Sequence, residues 1–276
     1  MIRVIRQYHK TLSAVSPNLA ANSAFELFKK VRKKAIRDRE KPFFERANQY
    51  DLEFQGKQIH CYEFGNPEND IVILLHGWDS NSGCMYRFVD PLLEKGKYVL
   101  SFNLPGHAFY EDSKTNLHEA KLAFQHFMNS LPKGKNISIV SHSFGSAVTA
   151  FGLANMDLKV DELVFLTSPN EMEDIFVEFK NMIGLNDKSF NILKNKANKI
   201  LGERLEDISV AKKLEAAKFD HLYLFHDQSD KVLPYGNSLA IHDHISDSTL
   251  YKYDQIGHYR MLWNEDLVNE VISVLK

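Results

Sequence analysis

Apolar residues in this chain follow two rhythms. Between residues 50 and 64 they alternate with polar ones on either side of Gly56, which predicts an antiparallel hairpin with strands at 50–54 and 58–64. Unbroken apolar runs rich in β-branched and aromatic side chains then occur at 71–75, 98–102, 137–140, 163–166 and 221–225, with a last strand at 249–253. Such runs are the mark of strands covered on both faces. The stretches between them, 85–94, 117–131, 145–156 and 265–275, carry helical spacing. Strand and helix alternating over this length predict an α/β fold: a mostly parallel, doubly wound eight-strand sheet flanked by helices.

Two intervals break the rhythm. Residues 22–47 have helical spacing through Phe25, Leu27, Phe28, Val31, Ala35 and Ile36, with Pro42 as a break. About fifty residues after Ser168-Pro169 are helical and charged with no strand, far more than one crossover helix needs. They predict a helical cap at about 170–217, inserted over the carboxyl ends of the strands. The chain therefore divides into a helical extension, 1–48, and a domain, 49–276, that contains the cap.

Chemistry collects at the strand ends. Ser141-His142-Ser143-Phe144-Gly145 follows the run 137–140 and precedes a helix, the setting of a serine held in a sharp strand-to-helix turn. Its flanks must be small because strand and helix nearly collide there, which makes Gly145 part of the motif. His76-Gly77-Trp78 follows the strand 71–75, where a glycine lets the backbone approach a ligand. The Trp78 and Phe144 N–H groups are candidate oxyanion donors, although the Trp78 indole could equally wall a pocket. Asp230 opens Asp-x-x-Val-x-Pro after the strand 221–225, and Gly257-His258 lies between the last strand and the last helix. Asp227 and Asp254 compete with Asp230 as the acid that orients His258. His76, His142 and the other histidines near strand ends read as supporting or packing groups.

The order Ser143, Asp230, His258 is that of the α/β-hydrolases. Across about 50–276 the chain resembles that superfamily, most of all compact bacterial serine carboxylesterases and serine-aminopeptidase-like members with a helical cap. Two positions depart from the family pattern: Ser141 stands where glycine is usual in the pentapeptide, and Ala108 stands where glycine is usual after Pro105-Gly106-His107. Dehalogenases and epoxide hydrolases share the fold but use a carboxylate nucleophile, so Ser143 argues against their chemistry.

Composition and charge change little. The chain is 44% hydrophobic and 25% charged, with no run near the ~20 apolar residues of a membrane span. The segment 11–24 is too polar for the apolar stretch of a signal peptide, so a cytoplasmic location is the expectation. Cys61 and Cys84 are expected to be free thiols, and neither their spacing nor any histidine cluster suggests a metal. The net charge of −2 hides twelve Lys and Arg against four Asp and Glu in residues 1–50. That surplus, densest at 29–37, reads either as a solvated helix face against an acidic body or as a peripheral contact with anionic lipid. No aromatic or glycine interleaving suggests nucleic acid.

The expectation is a serine hydrolase, a carboxylesterase without cofactor or metal, acting on a small-molecule ester or acyl substrate. An acyl-enzyme would form on Ser143 with His258 as base and Asp230 as orienting acid. The same triad would serve a thioesterase, an amidase or aminopeptidase, or an acyltransferase. A ligand-binding or signalling protein on a hydrolase fold is the alternative of another class. The apolar cap residues Phe176, Phe179, Met182, Ile183, Leu185 and Phe190 either line an acyl pocket or pack the cap.

Overall fold

The computed structural model describes residues 2–32 and 35–276; Lys33 and Lys34 of the basic run lie outside the described residues. Its eight strands are β1 (Asn48–Phe54), β2 (Lys57–Phe64), β3 (Ile71–Leu75), β4 (Tyr98–Phe102), β5 (Ile137–His142), β6 (Lys159–Leu166), β7 (Lys218–Asp227) and β8 (Ser248–Tyr253). The helices are α1 (Ile2–Val15), α2 (Pro17–Phe28), α3 (Lys41–Arg46), α4 (Tyr86–Glu94), α5 (Leu117–Asn129), α6 (Phe144–Leu153), α7 (Met172–Ile183), α8 (Asp187–Leu201), α9 (Val210–Leu214), α10 (Gly236–His244) and α11 (Glu265–Val274).

The strands form one sheet in the order β1-β2-β4-β3-β5-β6-β7-β8. β1 and β2 pair antiparallel, as do β2 and β4, and every other pairing is parallel. The β1–β2 turn is two residues, Gln55 and Gly56, both at positive φ (51° and 74°), the backbone that suits a tight hairpin. The period of two along each central strand splits the core. Ile71, Ile73 and Leu75 join a cluster with α5, α6 and the cap, while Val72 and Leu74 join one with α4 and α11. All five residues of β3 are buried, which is why that run shows no polar alternation.

Between β6 and β7 lie α7, α8 and α9, in the interval where the cap was expected. Asn186 and Ser209 cap α8 and α9 by accepting the Ser189 and Lys212 N–H groups, each such cap contributing about 1 kcal/mol. The cap does not stand alone: α1 packs on α7 and α2 on α8. Ala20, Ala21 and Ala24 are fully buried, so the helices approach closely. The Phe28 ring lies 4.4 Å from that of Phe176 and 5.0 Å from that of Phe179. Asn186 Nδ2 donates to the Ser13 carbonyl at 3.0 Å. Phe176, Phe179, Ile183, Leu185 and Phe190 are buried in this packing, and Met182 is exposed. At ~2 kcal/mol for each large buried side chain, this packing helps to hold α7–α9, which rest on α5 and α6 as well.

Three expectations are corrected. The helix expected over 22–47 ends at Phe28, and Pro42 opens α3 rather than breaking a helix; a first-turn proline gives up no hydrogen bond. Of the described residues between them, 30–32 form no helix and Asp38–Glu40 form one 3-10 turn. Lys30 bridges Lys114, Val31 N–H donates to the Ser113 carbonyl at 2.8 Å, and Thr115 N–H donates to the Lys29 carbonyl at 3.0 Å. Consecutive cations three and four apart disfavour a helix there, and the bridge supplies the backbone partners instead. The described part of the basic run is therefore not a helix face. The sequence pattern marks 1–48 as helical without bounds for α1, and it misses α10, whose inner side includes the buried Ser238 beside Ile241, so that it shows no apolar stripe.

Candidate active site

Ser143 occupies the single residue between β5 and α6, with φ 53° and ψ −119°. An L-residue reaches that backbone only under constraint. Its N–H donates to the Leu166 carbonyl and its carbonyl accepts from Ser146 N–H, both at 2.9 Å. Two glycines make room. A Cβ on Gly145 would lie 2.7 Å from the carbonyl oxygens of both Leu75 and His76, and one on Gly77 would lie 3.0 Å from the Ser143 Cβ. Ser141 keeps its hydroxyl in the fully buried corner by sharing a 2.7 Å hydrogen bond with Thr149. Phe144 is the first residue of α6, so its N–H has no partner within the helix, and the positive end of the helix dipole points at the turn.

His258 comes from the loop after β8. Its Nδ1 lies 2.8 Å from Asp230 Oδ2, and both side chains are almost wholly buried. The carboxylate can only accept, so Nδ1 carries the proton and Nε2 is left as a base. Asp230 Oδ1 accepts from the Val232 and Leu233 N–H groups at 2.7 and 3.1 Å. Burial pushes the Asp230 carboxyl up, but the His258 bond and charge and these two N–H donors bring it below its ordinary value. Asp227, the rival acid, meets no histidine. It accepts from Ser229 and from the Gly257 N–H, and so fixes the residue before His258. Asp254 is exposed.

His142 joins the two halves. Its Nε2 donates to the His258 carbonyl at 3.1 Å and its ring lies 4.8 Å from the His258 ring. Burial, and then the neighbouring His258 charge, push His142 down to about 3, so it is a neutral donor. His76 is also neutral, held well below its ordinary value by burial and by His107. Its Nδ1 donates to the Gly77 carbonyl at 2.8 Å and its Nε2 accepts the Leu104 N–H at 3.0 Å. The Trp78 indole stands edge-on to His107 (5.4 Å) and Phe144 (5.0 Å), so it walls the site while its N–H carries no backbone hydrogen bond among the described residues. The structure thus brings Ser143, Phe144, Gly145, His142, His76, Gly77 and Trp78 together at the carboxyl ends of β3 and β5, with His258 and Asp230 packed against them through His142.

A family model described as the alpha/beta hydrolase fold matches residues 70–222, more than half of the chain. This chain belongs to that family. Among curated proteins the chain is similar to norfluorocurarine synthase 1 of Strychnos, 32% identical over 100 residues that make up 35% of this chain and 37% of that one. It is also similar to a Drosophila melanogaster protein named "Probable serine hydrolase", 27% identical over 110 residues, 37% of this chain and 31% of that one. The chain thus spans about a third of the length of the curated relatives it matches. Among solved structures, the esterase Pf2001 of Pyrococcus furiosus superposes with a TM-score of 0.68 over 88% of this chain and 97% of that one at 16% identity. Est1E of Butyrivibrio proteoclasticus, solved with ferulic acid, gives 0.63 over 81% and 95% at 19% identity. At these identities the likeness is one of fold.

Sequence reasoning missed Asp79 and Arg32. Asp79 directly follows Trp78, and its carboxylate is held by Arg32, forty-seven residues earlier. No motif spacing links the two. Neither cysteine is in a disulfide, and burial pushes the Cys84 thiol up to about 12, which leaves it inert. Among the described residues no cluster of three His, Cys, Asp or Glu could hold a metal ion, and no helix is long and apolar enough to cross a membrane.

Proposed function

We propose that this protein is a serine hydrolase that cleaves carboxylic esters of modest size. The Ser143 Oγ attacks the ester carbonyl as its proton passes to His258 Nε2, and Asp230 stabilises the imidazolium. The oxyanion accepts hydrogen bonds from the Trp78 and Phe144 N–H groups. The carbon–oxygen bond to the alcohol breaks as His258 returns the proton to the departing oxygen. Water, deprotonated by the same nitrogen, then attacks the acyl carbon and regenerates the Ser143 hydroxyl. These steps call on neither metal nor organic cofactor.

The observation that carries this reading is a serine at φ 53° at a helix N-terminus, whose neighbour His142 bonds the carbonyl of His258, a histidine with its Nδ1 2.8 Å from a buried carboxylate. Membership of the hydrolase family and the fold shared with esterases support it. A fluorophosphonate probe tests it: one adduct is expected, mapped to Ser143 and absent in Ser143→Ala. No labelling of the wild-type protein, or equal labelling of both, would overturn the mechanism. Leaving-group preference is set by pocket shape rather than by the triad. Parallel kinetics on short-chain esters, acyl thioesters and aminoacyl amides rank the three, with esters expected to lead.

A further inference from the structure

The strap of residues 30–32 after α2 has no part in the proposed reaction, yet it grips the loop that carries Trp78. Arg32 N–H donates to Asp79 Oδ1 at 2.7 Å, while its Nε and a terminal nitrogen reach Asp79 Oδ2 at 2.7 and 2.6 Å. Asp79 is 5% exposed and sits at φ 55°. A buried carboxylate needs a counter-charge, and a non-glycine residue in the left-handed region persists only where its surroundings hold it. Arg32 answers both needs with three bonds. Farther along, Glu40 accepts from Asn81 Nδ2 at 3.2 Å, and the Phe44 ring lies so close to Gly83 that a Cβ there would meet it at 2.6 Å. The strap itself is tied down by the Lys30–Lys114 bridge and by Val31, which is 2% exposed.

We propose that Arg32 is a positioning residue for the Trp78 N–H. It fixes the backbone of the next residue, Asp79, and thereby the direction in which the Trp78 amide points. The inference rests on the oxyanion role proposed for Trp78. The inner side of the loop is set by His76, bonded to Gly77 and Leu104, and by the Trp78 indole between His107 and Phe144. Its outer end depends on Arg32. The Arg32 side chain is 79% exposed but its partner is buried, so losing Arg32 strands a carboxylate and lowers stability as well. Its effect on turnover is through geometry. Losing an oxyanion donor outright costs about 10²–10³ in turnover; misdirecting one costs less.

The test compares wild type, Arg32→Ala, Arg32→Lys and Asp79→Asn in ester hydrolysis and in the rate of fluorophosphonate labelling. Arg46→Ala, which removes an exposed ion pair with Asp90 away from the site, is the control. In Arg32→Ala both kcat and labelling rate are expected to fall about tenfold below the unfolding transition, with KM near wild type and Tm lowered, and Arg32→Lys is expected to recover part of each loss. Arg46→Ala should match wild type. Wild-type kcat in Arg32→Ala, or an equal loss in Arg46→Ala, overturns the positioning role while Ser143 labelling still stands. Should Arg32→Ala fail to fold, Asp79→Asn keeps the shape and removes the charge. A kcat loss at constant KM supports the role there, and wild-type kcat overturns it. No labelling of the wild-type protein overturns the hydrolase reading itself, and this inference with it.

Discussion

The two turns that meet at the proposed reacting centre keep their shapes by opposite means. The Ser143 turn is held by near neighbours in the sheet: strand and helix on either side, Gly145 against the ends of β3, and the Leu166 carbonyl on the next strand. The loop 76–79 is held from a distance, by Leu104, His107 and Arg32. A turn whose constraints lie in its own strand–turn–helix leaves a motif in the sequence. A loop restrained by remote side chains leaves only the glycine that admits it. Both strained residues, Ser143 at φ 53° and Asp79 at φ 55°, sit where the proposed chemistry needs a fixed backbone.

The largest expected effect removes the nucleophile: Ser143→Ala should lower kcat on a reporter ester by more than about 10⁴-fold with the fold intact by circular dichroism. A modest loss would mean that the turn is strained for some other purpose. Next, Gly145→Ala places a methyl 2.7 Å from two backbone oxygens that cannot move away. It should cost about 3 kcal/mol in urea denaturation. Gly77→Ala meets its neighbours at 3.0 Å or slightly more, which small shifts relieve, so about 1 kcal/mol and a severalfold fall in kcat are expected. Equal costs for the two glycines would erase the contrast between the locally and remotely held turns.

Acid should loosen both turns together. His142 and His107 stay neutral in the folded protein down to about 3 and 4, and His76 well below its ordinary value, whereas the unfolded chain protonates each histidine near 6.5. Unfolding therefore takes up protons below that pH, and stability should fall as pH drops from 6.5 towards 4, by up to ~1.4 kcal/mol per pH unit for each histidine. Asp230 acts in a lower window. Its lowered carboxyl contributes fully above its ordinary value near 3.8 and is lost only as pH falls through the folded one. Urea midpoints between pH 7.5 and 4 check the slope, which His142→Gln should flatten by one proton. The smallest effect is expected at Ala108, at φ 47° in the loop next to His107. Ala108→Gly should leave kcat unchanged and raise stability by up to about 1 kcal/mol, because alanine is strained there and glycine is not. A loss of stability would show that loop to be held more firmly than the 76–79 loop.

The eight strands could be read because each is covered on one or both faces and its apolar pattern follows from that burial. Ser143 and His258 could be placed because glycine and chain order betray sharp turns at strand ends. Asp230 is preferred to Asp227 in the sequence because it opens Asp-x-x-Val-x-Pro, and the structure adds the partners that tell these two acids of one turn apart, His258 for one and Gly257 for the other. The course of residues 29–32 was misread because Val31 is buried by pairing beside Ser113 rather than on a helix face. Periodicity cannot distinguish those two ways of hiding a valine.

The seating of α1 and α2 on α7 and α8 bears on recombination. In exchanges between relatives, residues 170–217 are not a self-sufficient cassette. Moved alone, they would carry Phe176 and Phe179 into a host without Phe28 and the buried alanines of α2 to receive them. A viable chimera needs three crossovers, so that residues 2–28 travel with the insertion, and natural variation in the two stretches should be inherited as one block.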